Sequence, residues 1–174
     1  MFFGLTDTKT RVNKMAYFGI TLCSPVYPAN MGSIARLCIN YNASFINVID
    51  GKFCPNATNI FRTERHLPIS EMTEEHFLSP NSQTVGIQNI AVEIDPLAKS
   101  AEKMIHPRAA NYIFGSESSS IPQSIIKHCD KVVKIATVDC LNLAFAVHTI
   151  MMYRHFQKNS SKFNLLNGGN NNGT

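Results

Sequence analysis

An α/β domain, with a mostly parallel sheet carrying helices on both faces, is the fold this sequence predicts, and three observations predict it. The 174 residues, 44% of them hydrophobic, suit one globular unit with a single core. Short apolar runs rich in β-branched residues alternate with stretches of helical periodicity, as in a parallel sheet whose strands are joined through helices. Three segments, SPVYPANMGSIAR (24–36), YIFGSE (112–117) and KIATVDCLNLAFA (134–146), place strand-to-loop junctions on one edge. Ligands of open parallel sheets bind beyond that edge, at the carboxyl ends of the strands.

The elements follow in order. Tyr17 to Cys23 is a short apolar run with a β-branched centre, hence a first strand, ended by Ser24-Pro25 and Tyr27-Pro28. From Asn30 the period becomes helical, with Ile34, Leu37, Cys38 and Tyr41 on one face and Ser33, Arg36 and Asn40 on another. FINVID (45–50) is the second strand. Residues 51–82 contain Pro55, Pro68 and Pro80 and read as loops with short helices. The first half of TVGIQNIAVEI (84–94) reads as a third strand, and 96–105 as a short helix. Asn111 to Phe114 is a fourth strand, IPQSIIKHC (121–129) a helix opened by Pro122, and KVVKIA (131–136) a fifth strand. LNLAFAVHTIMMYRHFQ (141–157) is the longest helix, with the stripe Leu143, Val147, Ile150 and Met151. Residues 1–15 form an N-terminal segment and 16–160 the domain. The Asn/Gly-rich stretch 161–174 has too little to bury and is expected to be disordered.

Composition narrows the function. A net charge of +4 and a pI near 8.8 permit an RNA partner without requiring one. Lys9, Arg11 and Lys14, then Arg62, Arg65 and His66, then Arg154, His155, Lys158 and Lys162 form three basic groups. Converging on one face they would bind phosphates; apart, they are solvated charges. Cys23, Cys38, Cys54, Cys129 and Cys140 are odd in number and widely spaced, which suits reduced thiols rather than a disulfide framework. No apolar run approaches the ~20 residues that cross a bilayer, so a soluble cytoplasmic protein is expected. Glu74, Glu75 and His76 are adjacent and do not share a helix face, so no metal is expected. Gly115, directly after Phe114, suits either a simple turn or close approach of a ligand to the backbone.

PANMGSIARLC (28–38) resembles the first motif of the SpoU/TrmH family of RNA ribose 2'-O-methyltransferases, within the SPOUT superfamily. FGSESSSIP (114–122) resembles its second motif and VVKIATVDCLNLAFAV (132–147) its third, and all three stand in the family's order. The resemblance implies a C-terminal trefoil knot, S-adenosylmethionine as cofactor and RNA as substrate, with tRNA preferred over ribosomal RNA. It also implies a homodimer formed through the first and last helices. Residue by residue, it implies that Arg36 and Asn30 serve catalysis, and that Ile87, Phe114, Gly115, Ile135, Cys140, Asn142 and Leu143 hold the cofactor. Glu117 braces the loops, and Arg36, Arg65, His66 and Arg154 contact RNA. Three features depart from the pattern: Cys140 replaces a serine, Ser118 and Ser120 stand where glycine is frequent, and Ala136 replaces a proline.

Arg36 is a poor general base because its guanidinium stays protonated, so gripping a phosphate and polarising the 2'-OH is its favoured role. His66 reads as an RNA or surface contact rather than a base. Cys140 has no neighbouring base in sequence to make it a nucleophile. A non-catalytic relative that binds RNA or cofactor stays open as a second reading. An unrelated nucleotide-binding fold is disfavoured by the lack of both GxGxxG and GxxxxGK[ST].

Overall fold

Every described strand of this chain runs the same way. The computed structural model describes residues 17–55, 62–80 and 86–167, with 158–167 as helical backbone. The strands β1 (Phe18–Cys23), β2 (Phe45–Ile49), β3 (Ile69–Met72), β4 (Gln88–Val92), β5 (Lys99–Ser100), β6 (Ala110–Phe114) and β7 (Lys131–Lys134) form one sheet. Its order is β3-β2-β1-β6-β4-β7-β5, parallel throughout. The helices are α1 (Pro28–Asn40), α2 (Glu74–Leu78), α3 (Gln123–Lys127) and α4 (Leu143–Asn167), with 3₁₀ turns at Thr63–Arg65 and Ala101–Lys103.

A parallel sheet buries both faces, so its central strands read as continuous apolar runs. All six residues of β1 are buried, as are all five of β6. The period of two then sorts them between two cores. Ile20, Leu22, Ile46, Val48, Ile90, Tyr112 and Phe114 face α1 and α4, meeting Ile34, Ala35, Cys38, Val147, Ile150 and Met151. Cys23, Ile49, Ala91 and Ile113 face the short helices α2 and α3, meeting Ile121, Ile125 and the half-buried Phe77 and Leu78. Helices on both faces, as predicted, are what the structure has.

The second face changes character along the strands. Near the strand starts it carries a polar row: Asn47 donates to Thr21 Oγ1 at 3.3 Å, Thr21 donates to Asn111 Oδ1 at 2.7 Å, and Asn111 donates to Asn89 Oδ1 at 3.0 Å. Short helices cover only the apolar half of this face, and the polar row satisfies itself instead, because a buried polar group without a partner is costly.

Several expectations are corrected. The segment 51–82 holds the strand β3, whose Ser70 and Glu71 are exposed, so its apolar signal is weak. The third predicted strand lies later, at Gln88–Val92, because Gly86 is a turn residue at φ +84°. Residues 96–105 contain β5 and a 3₁₀ turn, not a helix. Helix α4 continues to Asn167, so 161–167, expected to be disordered, are helical; 168–174 lie outside the described residues, as do Lys9, Arg11 and Lys14.

Arg154, expected to face RNA, is buried at 6% exposure. Its guanidinium donates to the carbonyls of Pro107 and Arg108 and to the Tyr112 hydroxyl, and lies 4.8 Å from the centre of the Phe18 ring. Gln157, one turn on, donates to the Met104 carbonyl and accepts from the His106 amide. Together they lash the 104–108 loop to α4. His106, within hydrogen-bonding distance of Tyr112 at 2.7 Å, is pushed down to about 4 by burial and by the Arg154 charge, so it is neutral at physiological pH. Arg154 is therefore withdrawn from any basic surface of α4.

Replacing Arg154 strands two carbonyls and a hydroxyl in the core. Arg154→Ala should lower stability by about 3 kcal/mol in urea unfolding. Arg154→Lys should recover only part, because an ammonium cannot span all three acceptors.

Candidate active site

Three loops leave the carboxyl ends of β1, β6 and β7, and one carboxylate joins them. Helix α1 begins with Pro28 at its first turn and receives no cap from the side chain of Tyr27. The amides left without partners at a helix start need an acceptor. Glu117, from the loop after β6, supplies it: its carboxylate accepts from the amides of Val26 at 2.9 Å and Tyr27 at 3.3 Å. The same carboxylate accepts from Asn30 Nδ2 at 2.6 Å, and Asn30 Oδ1 accepts from Asn142 Nδ2 at 3.1 Å. Asn142 in turn caps α4, its Oδ1 accepting from Ala144 N at 2.9 Å. Partial burial pushes the Glu117 carboxyl up, but the hydrogen bonds from Asn30, Val26, its own amide and Tyr27 outweigh this and hold it below its ordinary value.

On one side of this chain of bonds lies a cleft of about 340 Å³. Phe114, Ile135, Leu143 and Ala146 give it apolar walls, while Gly115 to Ser120 and Thr137 add backbone and hydroxyl groups. Among the described residues its charged lining is Glu93 and Glu117, with no lysine, arginine or histidine. Gly115 is required by the loop itself, since a Cβ there would meet the Ser119 carbonyl oxygen at 2.6 Å. Cys140 is exposed in the same cleft, its amide bonded to Asp139 Oδ1 at 2.7 Å.

On the other side, between α1 and α4, lies a groove of about 730 Å³. Arg36, Ser33 and Asn40 line it from α1, and Phe145 and His148 from α4, with Asn30 and Asn142 at the shared wall. His148 Nε2 lies 3.1 Å from the Tyr41 hydroxyl. Phe145 is 67% exposed, an aromatic ring held open beside the one arginine of the groove's lining.

The structure thus brings Phe114, Gly115, Ile135, Cys140 and Leu143 into one cleft, and Asn30, Arg36 and Asn142 into the adjoining groove. Ile87 is not among them. It precedes β4, at the edge where the strands begin, and Val92, Glu93 and Ile94 occupy the cleft position expected for it. Arg65, the last residue of the 3₁₀ turn before β3, and His66, which follows it, are exposed and line neither recess. Glu93, Thr137, Phe145 and His148 were missed. The stripe spacing alone placed Phe145 and His148 off the core face of α4, whereas nothing local marks Glu93.

The SpoU rRNA Methylase family matches residues 17–153 of the chain. No curated protein sequence matches it. Solved structures similar to it include an AdoMet-bound rRNA methyltransferase from Sinorhizobium meliloti, with a TM-score of 0.73, 18% identity, and 83% of this chain and 57% of that one covered. The A. aeolicus TrmH/SpoU tRNA modifying enzyme has a TM-score of 0.71 and 14% identity, covering 84% of this chain and 78% of that one. A structure concerned with 2-OH methylation of C/U34 on tRNA has a TM-score of 0.68 and 19% identity, covering 83% and 98%. At these identities the likeness is one of fold, and the chain spans little more than half of the Sinorhizobium protein.

Because the folded carboxyl of Glu117 sits below the ordinary value of 4.5, its contribution to stability is fully present above 4.5 and is lost as pH falls through the folded value. Glu117→Gln should therefore be less stable than the parent at neutral pH, with the gap in urea midpoint closing as the pH falls below 4.5. A gap that is constant with pH would show that the charge plays no part.

Proposed function

The chain belongs to the SpoU rRNA Methylase family, and from that premise we propose that it transfers a methyl group from S-adenosylmethionine to a ribose 2'-OH of RNA, with tRNA as the substrate class. One observation carries the proposal: two recesses of opposite electrostatic character share a wall made by Asn30, Glu117 and Asn142. The cleft with carboxylates and no cation suits a positively charged adenosine cofactor and repels a polyphosphate nucleotide. The groove with Arg36 suits the RNA phosphate. At about 340 Å³ the cleft also falls in the range of small-molecule sites.

When bound, S-adenosylmethionine would supply an electrophilic methyl group on a sulfonium, the S–CH₃ bond breaking as the O–CH₃ bond forms and the 2'-OH proton passing to solvent water. The residues of this chain do the rest. Phe114, Ile135 and Leu143 keep water from the apolar part of the cleft, which strengthens electrostatic effects there. Asn142 stands between the two recesses, and its bond to Asn30 fixes the separation of cofactor from ribose, which in-line transfer requires. Arg36 orients the phosphate next to the reacting ribose and stabilises the charge developing on its 2'-oxygen. Cys140 is a weaker donor than a serine hydroxyl, and its backbone, not its thiol, is the contact we assign.

The proposal extends to a trefoil knot in the 115–142 region and to a homodimer across the α1–α4 face, where Phe145 is exposed. Sedimentation should then give twice the 19.4 kDa chain mass at tens of micromolar; a monomer there would sink the dimer. Calorimetry should show S-adenosylmethionine binding, and transcribed tRNA should gain 2'-O-methyl while ribosomal RNA does not. Arg36→Ala should leave cofactor affinity unchanged and slow single-turnover methyl transfer by ~100-fold. A rate within a few-fold of the parent, in folded protein, would remove Arg36 from the chemistry. Cofactor binding with no transfer to any RNA would mark the chain as a non-catalytic relative.

A further inference from the structure

Glu93 lies in the cofactor cleft and neither motif matching nor periodicity pointed to it. It is the first residue after β4, and its carboxylate is held from two sides: Oε1 accepts from Ile94 N at 2.9 Å, and Oε2 accepts from Ile121 N at 2.9 Å. Two backbone donors fix the group in place while leaving each oxygen a second lone pair. The other carboxylate of the lining, Glu117, is already engaged by Val26, Tyr27 and Asn30. The lysine at the end of the neighbouring strand, Lys134, donates to the Pro96 carbonyl at 2.7 Å and is not part of the lining. Glu93 is therefore a fixed negative charge in a cleft whose lining, among the described residues, holds no positive one.

We infer that Glu93 is a specificity residue that makes this cleft prefer a cationic adenosine ligand over its neutral thioether counterpart, that is, S-adenosylmethionine over the product S-adenosylhomocysteine. The inference rests on the cofactor reading above. The two ligands share adenine, ribose and the amino-acid tail, and differ by one methyl and one positive charge on sulfur. A carboxylate in the cleft attracts that charge and does nothing comparable for the thioether, so loss of the methyl group loosens the ligand and favours its exchange. The whole chain, with its net charge of +4, would act in the opposite sense, so any preference for the cation must be local.

The test is the ratio of dissociation constants, S-adenosylhomocysteine over S-adenosylmethionine, measured by calorimetry at low salt. Glu93→Gln should lower this ratio by about fivefold, the size Coulomb's law gives for one charge ~8 Å away at an effective dielectric of ~40. Glu93→Asp, which keeps the charge, should hold the ratio within about twofold, whatever happens to the absolute affinities. Equal weakening for both ligands in Glu93→Gln overturns the inference, because a loop brace or a ribose contact acts on the two alike. Should Glu93→Gln not fold, the parent reads the negative charge of the cleft, of which Glu93 is part: its ratio should fall as salt is raised to about 1 M, and a salt-independent ratio overturns the inference. A parent that binds neither ligand overturns the cofactor reading itself, and the inference with it.

Discussion

Glu117 satisfies three donors from the start of α1 at once, and the geometry of both recesses depends on its doing so. Val26, Tyr27 and Asn30 lie about ninety positions before it, and through Asn30 the connection runs on to Asn142, 112 positions away from Asn30. A carboxylate at the start of α1 is favoured by the partial positive charge of that terminus and by its unpaired amides. The same bond that caps the helix therefore fixes where the loop after β6 sits. Asn30 bonds to both Glu117 and Asn142, so the group that helps cap α1 also ties the start of α4 to the site.

This explains why the site was legible as motifs and why its logic was not. PANMGSIAR, FGSE and CLNLA are each weak locally, yet the residues that matter in them, Asn30, Glu117 and Asn142, are those that bond to one another. Continuous apolar runs marked the places of β1 and β6, because strands buried on both faces show little ambiguity. Edge strand β3 escaped notice, since an edge strand needs one half-covered face and ISEM supplies no more. Ile87 was misplaced by a run, TVGI, that looks strand-like until Gly86 adopts a positive φ that no residue count reveals.

Arg154 shows a different failure, one the sequence could have prevented. It was grouped with nearby basic residues by charge, yet it stands seven positions after Val147 and four after Ile150, on the buried stripe of α4. Periodicity should outrank composition there. What periodicity could not supply is the set of carbonyls at Pro107 and Arg108 that make a buried guanidinium tolerable, because that loop is distant in sequence and has no regular pattern.

The separation of charge between the two recesses bears on rate as well as on binding. In the proposed reaction the positive charge on sulfur disappears while negative charge grows on the ribose oxygen. A bare carboxylate against the sulfonium would stabilise the reactants more than the transition state and slow the step. Both carboxylates of the cleft are instead engaged by backbone or amide donors, which spread their charge. Arg36, on the far side of the Asn30–Asn142 wall, stands where its effect rises as the oxygen becomes negative. In the proposed reaction the Glu117 tie thus does more than hold three loops together: it separates the carboxylates of the cleft from the arginine of the groove.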